Sequence, residues 1–274
     1  MSTTITAQDI NKLRQATGAG MMDCRKALTE SNGDFEAAID WLRKQGQKVA
    51  AKRSDREAKE GVVIAKTTAD HKAGIVICIS CETDFVSKNA DFVAFATGIA
   101  DAAIAHNVKS ADELNNVEIN GAKVADLIND KLAAIGEKIA ISKFERVEAH
   151  HVSSYIHGAN RMGVLVGLTV AADDAGKDVA MQIAAMNPLG VDETSIPADV
   201  VAREKEIAIE LVKQEGKPAE MAEKIAMGKI NKFFKDNTLM AQAFVKDGNK
   251  SVADYLKGIN ADLKVTEFKR VALG

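Results

Sequence analysis

Two neighbouring runs of apolar, β-branched residues constrain the fold of this chain more than any other feature. Residues 61–67 (GVVIAKT) and 74–80 (GIVICIS) are separated by the polar segment 69–72 (ADHK). β-branched residues favour strands, and a short polar segment between two such runs is typical of a β-hairpin. The sequence therefore predicts an antiparallel pair of strands, which excludes an all-helical protein.

The strand pattern is repeated later in the chain. Residues 74–77 (GIVI) resemble residues 163–166 (GVLV) at an offset of 163 − 74 = 89. Residues 143–147 (KFERV) resemble residues 267–271 (EFKRV), with the shared Phe at an offset of 268 − 144 = 124. The second copy therefore holds 124 − 89 = 35 additional residues. Because few letters match, coincidence stays open as the alternative to a duplicated α+β half.

The additional residues have a helical pattern. Residues 198–227 carry apolar side chains at helical spacing on both sides of a Gly-Lys-Pro break at 216–218, which predicts two antiparallel helices. We expect an α+β fold with a core of two related halves, 54–150 and 151–274, antiparallel sheets, and this helical hairpin inserted at about 198–227. The remaining patterns predict helices at 91–105, about 124–132 and about 177–187, and strands at 139–149, 153–157 and 163–170.

The first 53 residues predict three short helices in a small domain of their own. Thr6 is the expected N-cap of the first helix, which Thr17-Gly18 ends, and Asp34 caps the third helix, which ends at Gly46. Three helices of about ten residues bury little surface, so this bundle is near the lower size limit for independent stability. Residues 47–60 are rich in charged residues and Ala, and they predict a solvated helical linker.

Charge and cysteine content exclude several classes of protein. The 36 Lys and Arg residues against 39 Asp and Glu give a net charge of −3, which argues against direct nucleic-acid binding, because duplex binding usually needs a basic face. No apolar run approaches the roughly 18 residues of a spanning helix, and no secretory signal pattern is present, so we expect a cytoplasmic protein without a membrane segment. Three cysteines in 274 residues fit reduced thiols and not a disulfide framework.

No residue pattern predicts catalysis, a metal site or a cofactor site. Gly18-Ala19-Gly20 lacks the lysine of a phosphate-binding loop and the third glycine of a dinucleotide fingerprint. Cys78 and Cys81 have C-x-x-C spacing, but residues three apart on a strand point to opposite faces, so buried thiols are the preferred interpretation. His150-His151 and His157 lack the spacing of a metal motif, although an interface role for His157 stays open.

One loop has two interpretations. Residues 81–89 (CETDFVSKN) follow a buried strand and place an acid next to a large aromatic residue before the next helix. In the first interpretation, Asp84 caps a turn while Phe85 packs in the core. In the second, Phe85 is a wedge that enters a partner and Asp84 acts on that partner electrostatically. Charge and spacing do not decide between them.

At this loop the sequence resembles bacterial elongation factor Ts, the family of guanine-nucleotide exchange factors for elongation factor Tu. Residues 13–28 (LRQATGAGMMDCRKAL) and 82–88 (ETDFVSK) look like the two signatures of that family. Further similarity at residues 155–166, 231–233 and 242–247 extends the match over nearly the whole chain.

The resemblance implies a ubiquitin-associated-like (UBA-like) domain at residues 1–53 and a coiled-coil form for the inserted hairpin. It implies a chain that is not an enzyme and needs no cofactor. Such a chain binds elongation factor Tu·GDP, disturbs its Mg²⁺ and phosphate site, and promotes GDP release so that GTP can bind. A homo-oligomer and a 2:2 complex with elongation factor Tu are both compatible with the resemblance.

The contact residues that the resemblance implies fall into three groups: the loop residues Thr83, Asp84, Phe85 and Val86, the N-terminal residues Met21 and Met22, and the second-half residues His157 and Arg161. Phe85 would wedge between side chains of the partner's G domain, and Asp84 would disturb the Mg²⁺ environment there. The two methionines would dock on the same G domain, since flexible apolar side chains suit an adaptable contact. The second-half residues would reach another domain of the partner.

An enzyme is the alternative to an exchange factor. Its active site would lie in a cleft between the two halves, with His157, Arg161 and Asp84 as its polar groups. Release of labelled GDP from elongation factor Tu discriminates the two, because only an exchange factor accelerates it at sub-stoichiometric concentration.

Overall fold

The computed structural model describes residues 5–53, 55–214 and 219–274. The N-terminal part contains α1 (Ala7–Thr17), α2 (Met21–Glu30) and α3 (Phe35–Arg53). The next part contains β1 (Glu60–Thr67), β2 (Ala73–Cys81), α4 (Asp84–Ser87), α5 (Ala90–Ala105), α6 (Ala111–Asn116), β3 (Glu118–Ile119), β4 (Ala122–Lys123), α7 (Val124–Ile135) and β5 (Ala140–Glu148). The last part contains β6 (His151–His157), β7 (Met162–Leu168), α8 (Asp173–Met186), a 3-10 turn (Glu193–Ser195), α9 (Ala198–Gln214), α10 (Ala219–Asn237), β8 (Ala243–Phe244), β9 (Asp247–Ser251), α11 (Val252–Ile259) and β10 (Val265–Ala272).

Local side chains fix the ends of the N-terminal helices. The Thr6 hydroxyl accepts a hydrogen bond from the Asp9 amide (3.2 Å), and the Thr6 amide donates to the Asp9 carboxylate (3.0 Å), so α1 begins with a capping box. Gly18 ends α1 in the left-handed conformation, with φ at 69°. Asp34 Oδ1 accepts a hydrogen bond from the Ala37 amide (2.9 Å) in the first turn of α3. The predicted caps are confirmed.

The predicted end of the third helix at Gly46 is wrong, because α3 continues to Arg53. Gly46 faces α7, and a Cβ atom on it would lie 3.2 Å from the Ala133 Cβ. The glycine therefore permits close packing of two helices and does not end the helix. The first part of the predicted helical linker 47–60 belongs to α3, and Gln47, Lys48 and Lys52 are exposed there as expected. Val49 is the exception, because it packs against the apolar core under α7.

The first sheet has β2 at its centre. β1 and β5 pair with β2 on either side, both antiparallel, and every residue of β2 is buried. Ile75, Ile77 and Ile79 face the helices, in one apolar cluster with Phe92 and Ile99 of α5. The intervening residues of β2 face the second sheet, because successive side chains of a strand point to opposite faces. Burial of both faces explains why this run is continuously apolar.

The second sheet repeats the topology of the first. β7 is central, with β6 and β10 antiparallel on either side. Ile77 pairs with Phe144 in the first sheet, and Val166 pairs with Phe268 in the second. These pairs are related by the two sequence offsets, 166 − 77 = 89 and 268 − 144 = 124. The shared register favours duplication over coincidence, because a register shift of one residue would turn every side chain to the other face.

The two sheets pack face to face through a thin apolar layer. Its buried members are Val63, Val76, Cys78, Val147, Val152, Leu165 and Val271. Helices cover the outer face of each sheet, with α5 and α7 on the first and α8 and α11 on the second. The predicted α+β class with antiparallel sheets is confirmed.

Two glycines permit the close approach of the sheets. A Cβ atom on Gly74 would lie 3.0 Å from Leu165 Cδ2, and a Cβ atom on Gly163 would lie 2.7 Å from Val76 Cγ2. Gly74 and Gly163 are 89 residues apart, and so are Val76 and Leu165 (165 − 76 = 89). In each half, the glycine therefore contacts the apolar residue at the equivalent position of the other half. The two sheets are thus related by an approximate twofold axis.

The predicted helical hairpin is formed by α9 and α10. The two helices pack on each other through Ala208, Ala226 and Ile230, which form an apolar cluster of their own. The ends of the hairpin meet where Gly190 and Thr238 form a parallel β-bridge. The hairpin is thus an insertion whose two ends join the second half at one place.

The second helix of the hairpin is longer than predicted. α10 continues to Asn237, beyond the predicted end at 227. Ile230 and Phe234 extend its apolar stripe past that point and pack in the same apolar cluster. The Gly-Lys-Pro break at 216–218 lies outside the described residues.

Two expectations remain, one on membrane-spanning helices and one on the division into domains. None of the helices in the described part of the chain combines the length and the apolar character needed to cross a bilayer. The division into domains 1–53, 54–150 and 151–274 and the UBA-like form of the first domain stay predictions, and residues 1–4 and 54 lie outside the described ranges.

We expect Gly163→Ala to lower the free energy of unfolding by about 1–3 kcal/mol, because the added methyl group would overlap Val76 and Val63 in a closely packed layer. Gly98→Ala is the matched control. Gly98 lies in α5 with no atom within 4 Å of the added Cβ, so alanine there should raise stability by up to about 1 kcal/mol. Urea unfolding followed by circular dichroism measures both variants. Native-like stability of Gly163→Ala would show that the sheets do not need a glycine at this position.

Candidate functional site

The 81–89 loop forms a single helical turn that projects Phe85 into solvent. The Phe85 side chain is 85% exposed, although phenylalanine is among the residues most often buried. Asp84 is the first residue of this turn, α4, and its carboxylate lies 2.7 Å from Lys88 Nζ. The interpretation that packs Phe85 in the core is therefore wrong. That interpretation also has Asp84 cap the turn, whereas Thr83 occupies the N-cap position and Asp84 is the first residue of the turn itself.

The Asp84 carboxylate is charged at neutral pH. The hydrogen bond from Lys88 and the positive charge of that ammonium group lower the pKa of Asp84 below its usual value. A carboxyl group with a lowered pKa stays ionised from neutral pH down into the acid range. The turn therefore presents a negative charge next to an exposed aromatic ring.

The base of this turn is anchored by Glu137, which follows the end of α7. Glu137 Oε2 accepts hydrogen bonds from the amides of Glu82 (3.1 Å) and Thr83 (3.0 Å), and Glu137 Oε1 accepts one from the Thr83 hydroxyl (2.6 Å). Hydrogen bonds to an ionised acceptor are stronger than those between neutral groups. Three of them fix the backbone immediately before Asp84.

A second carboxylate fixes the same segment from the other side. Glu82 Oε1 accepts a hydrogen bond from the Lys138 amide (2.7 Å), and its oxygens pair with Arg53 (3.4 Å) and Arg56 (3.1 Å). The Lys138 amide is the main reason that the pKa of Glu82 lies below its usual value, with Arg56 adding to the effect. Through Arg53, the end of α3 is tied to the segment that carries the exposed turn.

The four loop residues predicted to contact a partner have two different environments. Thr83 is half-buried and bonded to Glu137, and Val86 packs against the apolar core of the first sheet. Asp84 and Phe85 project between these two anchored residues. The arrangement is a rigid support that holds a charged group and an aromatic group outward.

The C-x-x-C cysteines are buried thiols on opposite faces of the sheet, as the sequence predicts. Cys81 belongs to the cluster under the helices, and Cys78 belongs to the layer between the sheets. Burial, together with the nearby charge of Glu137, raises the pKa of Cys81 to about 12. The thiol lies under the exposed turn and donates a hydrogen bond to the Thr83 carbonyl (3.2 Å). A protonated, buried thiol is neither nucleophilic nor a metal ligand at neutral pH.

A groove of about 900 Å³ lies beside the exposed turn, between the N-terminal helices and helices α5 and α7. Its walls include residues from both segments that carry the family resemblance: Thr17, Gly18, Ala19, Asp23 and Lys26 from the first, and Phe85, Val86 and Asn89 from the second or next to it. The helices α3, α5 and α7 complete the lining with apolar side chains, among them Trp41, Phe95 and Leu127, and with charged ones such as Asp130 and Lys131. The fold thus brings two segments that are distant in the sequence into one concave surface.

The two methionines predicted to contact a partner are exposed and follow a segment that lines this groove. Met21 and Met22 stand between the lining residues Ala19 and Asp23, in the first turn of α2. Their exposed fractions are 55% and 72%, whereas Cys24 and Leu28 of the same helix are buried. The first turn of α2 therefore leaves two large apolar side chains without a contact in the core.

His157 and Arg161 lie in the second half, near the turn that joins β6 to β7. Arg161 Nη1 lies 3.0 Å from the Glu60 carboxylate, and Glu60 pairs across the sheet with Cys81, where the exposed turn begins. His157 Nδ1 lies 3.0 Å from the Tyr155 hydroxyl and is exposed. Arg161 is thus tied to the strand that pairs with the start of the exposed turn, and its amide donates a hydrogen bond to the His157 carbonyl (3.3 Å), so the two residues are neighbours.

The polar groups of the alternative enzyme have separate partners. Asp84 pairs with Lys88, Arg161 with Glu60, and the His157 ring with Tyr155. In the part of the chain that the structure describes, Asp84 belongs to no group of three potential metal ligands. This geometry supports binding at the surface and gives no support to a shared catalytic centre.

Sequence reasoning missed Glu137 and the groove. Glu137 follows Gly136, which ends α7, and nothing in that local pattern distinguishes it from any other surface acid. Its hydrogen-bond partners are 54 and 55 residues away in the chain. The sequence identified the two signature segments that line the groove, but it did not show that they lie next to each other in the fold.

Comparisons with known proteins agree on one family. The family model described as "Elongation factor TS" matches residues 82–274. An elongation factor Ts of Flavobacterium psychrophilum is 51% identical over 274 residues, which cover 99% of this chain and 99% of that protein. An elongation factor Ts of Christiangramia forsetii is 49% identical over 273 residues, covering 98% and 99%. One from Clostridium perfringens is 42% identical over 282 residues, covering 98% and 93%.

We expect Glu137→Ala to loosen the support of the exposed turn, because two backbone amides and one hydroxyl lose a charged acceptor. Removing one partner of such bonds costs about 1–3 kcal/mol. Hydrogen exchange at the Glu82 and Thr83 amides should accelerate by about tenfold or more, since 1.4 kcal/mol corresponds to a factor of ten. Glu118→Ala, at an exposed acid in β3, is the control and should leave these amides unchanged. Unchanged protection in Glu137→Ala would contradict the anchoring role.

Proposed function

The chain belongs to the elongation factor Ts family, and from that membership we propose that it is a guanine-nucleotide exchange factor for elongation factor Tu. Its place is in translation elongation. It binds elongation factor Tu·GDP, disturbs the Mg²⁺ and phosphate site of that partner, and promotes GDP release so that GTP can bind. It works by binding and not by bond chemistry, in the cytoplasm where translation takes place.

The observation that carries this proposal is the exposed aromatic ring on an anchored support. Burying a phenylalanine side chain contributes about 1.5–3 kcal/mol, and Phe85 has nearly all of that burial available for a partner. Because Glu137 and Glu82 already fix the backbone, little conformational entropy is lost when the ring is inserted. A ring held in this way is suited to wedge between side chains of a folded G domain.

Asp84 is suited to act on the metal ion of the partner. Mg²⁺ is bound through carboxylates, phosphate oxygens and water in near-octahedral geometry, and it tolerates little displacement. An ionised carboxylate brought next to this site changes its electrostatic balance, and the Lys88 pair keeps Asp84 ionised. We propose that Thr83 and Val86 hold the turn while Asp84 and Phe85 enter the G domain.

The groove and the two exposed methionines support a second contact on the same G domain. A concave surface lined by both apolar and charged side chains fits a helix or loop edge of a partner. Met21 and Met22 add exposed, flexible apolar area in the first turn of α2, which adapts to such a contact. We propose that the N-terminal helices dock there. His157 and Arg161 contact another domain of the partner and so hold the turn in place over the nucleotide site.

Linkage explains how such binding releases nucleotide. A factor that binds the nucleotide-free state of its partner more tightly than the GDP state must lower GDP affinity by the same coupling free energy. The partner changes conformation because the factor binds its two states with different affinity. A factor with equal affinity for both states would not shift the equilibrium between them. The factor accelerates exchange and leaves the overall nucleotide equilibrium unchanged.

We expect Phe85→Ala to slow the release of labelled GDP from elongation factor Tu by about tenfold to a hundredfold at sub-stoichiometric concentration. The lost wedge burial of about 1.5–3 kcal/mol corresponds to that range. The melting temperature should stay unchanged, because the ring makes no core contact in the free protein. Stopped-flow fluorescence of a labelled GDP measures the release rate.

The control for this experiment is Ile259→Ala, which removes another exposed apolar side chain on α11 and should leave the release rate unchanged. A native protein that does not accelerate GDP release would contradict the proposed function itself. A native protein that accelerates release, together with a Phe85→Ala variant of equal activity, would contradict only the wedge. Asp84→Asn separates the charge from the ring and should also slow release.

A further inference from the structure

We propose that His71, His151 and Asp173 form a binding site for a divalent transition-metal ion of the Zn²⁺ type. Their potential ligand atoms all lie within 4.8 Å of one another. Neither the exposed turn nor the groove contains any of the three residues. The site is therefore independent of the proposed exchange activity.

The three residues come from both halves of the core. His71 lies in the turn between β1 and β2, where it adopts a positive φ of 55°. His151 is the first residue of β6, and Asp173 is the first residue of α8. The backbone already holds the turn against β6, since the Val152 amide donates a hydrogen bond to the His71 carbonyl (2.6 Å). The fold therefore holds the backbone of the three residues together, although the side chains can still turn.

His151 supplies the observation that points to a ligand. The residue is only 6% exposed, and its Nε2 atom is buried without a hydrogen-bond partner. Asp173 Oδ1 lies 2.8 Å from that nitrogen, yet the oxygen does not lie in a direction in which the ring nitrogen can form a hydrogen bond. Buried polar atoms in native proteins nearly always have a partner, so an orphaned imidazole nitrogen calls for one.

A bound cation accounts for this close but misaligned contact. Two ligands of one ion point at the ion and not at each other, so their atoms approach closely without a hydrogen bond between them. With Zn–N and Zn–O bonds of about 2.0–2.1 Å, tetrahedral ligand atoms lie about 3.3 Å apart. The potential ligand atoms of His71, His151 and Asp173 lie within 4.8 Å of one another, so rotation of side chains is enough to bring them to that spacing.

The ring of His71 must tilt when the ion binds. The two imidazole rings are stacked in parallel, with centroids 5.0 Å apart and an interplanar angle of 8°. An ion bound to a ring nitrogen lies in the plane of that ring, so one ion cannot lie in both planes of a parallel stack. His151 is buried and stays in place, whereas His71 is exposed and free to rotate about its side-chain torsions.

The donor set selects the class of ion. Two imidazole nitrogens and one carboxylate oxygen suit Zn²⁺ and neighbouring transition metals, whereas Ca²⁺ and Mg²⁺ prefer oxygen ligands only. Three protein ligands leave a fourth tetrahedral position for water. The positive end of the α8 dipole would by itself disfavour a cation, and the carboxylates of Asp173 and Asp174 in the first turn offset it.

The consequence of binding would be a link between the two halves. An ion bound to His71 on one side and to His151 and Asp173 on the other ties the β1–β2 turn to β6 and α8. Because the unfolded chain does not hold these three groups together, binding stabilises the folded state by mass action. The melting temperature should therefore rise with the concentration of the ion.

The test uses the untagged full chain after treatment with EDTA. Titration with ZnCl₂ in a calorimeter should show one saturable site per chain. Titration with CoCl₂ should produce the visible absorption of tetrahedral Co²⁺ bound by nitrogen and oxygen. His71→Asn and Asp173→Asn should each weaken Zn²⁺ binding by at least about tenfold, since loss of an outer partner of a metal ligand already costs 10–100-fold. Asparagine is chosen at position 71 because it tolerates a positive φ.

His150→Asn is the matched control. His150 precedes His151, is exposed, and does not belong to the group of three ligands, so its loss should leave Zn²⁺ affinity unchanged. The proposal is overturned if no saturable Zn²⁺ binding occurs, or if His150→Asn weakens binding as much as His71→Asn and Asp173→Asn do. It is supported if only the two ligand variants weaken binding and abolish both the Co²⁺ absorption and the rise in melting temperature.

Discussion

The face-to-face packing of the two sheets is the interaction on which the rest of this structure depends. Gly74 and Gly163 leave room for Leu165 and Val76 of the opposite sheet, so the central strands approach closely and exclude water. One face of each sheet packs against the other sheet, so the outer faces must be covered by helices. The core therefore has four layers in the order helices, sheet, sheet, helices. The loops and turns at the edges of this layer are then left to carry function.

The exposed turn at Phe85 shows how stability and function are divided within a few residues. Glu137 and Glu82 form charge-assisted hydrogen bonds that hold the backbone, and Val86 packs against the core. Phe85 itself contributes nothing to that core, because its side chain is exposed. An exposed aromatic ring on a rigid support is costly for a free protein and useful for one that inserts the ring into a partner. The fold stabilises the support and leaves the ring free.

Local signals predicted the secondary structure well where they act over a few residues. Thr6 and Asp34 cap their helices because a side-chain oxygen satisfies a nearby amide, and this requires only adjacent residues. The prediction failed at Gly46, where a glycine that looks like a helix end instead permits contact with α7. It also left Phe85 undecided, because an apolar residue after a buried strand fits a core position and an exposed one equally well.

The sequence alone determined most of the helices and strands, the inserted hairpin and the family resemblance, since periodicity, caps and motifs are properties of neighbouring letters. It suggested the duplicated halves, and the shared strand register then favoured them. Only the tertiary structure decided which side chains meet. It placed Glu137 under a turn that is 54 residues away, joined the two signature segments in one groove, and assembled His71, His151 and Asp173 from different halves. The physical reason is that such contacts arise from the packing of distant elements, and no local pattern encodes their distance or direction.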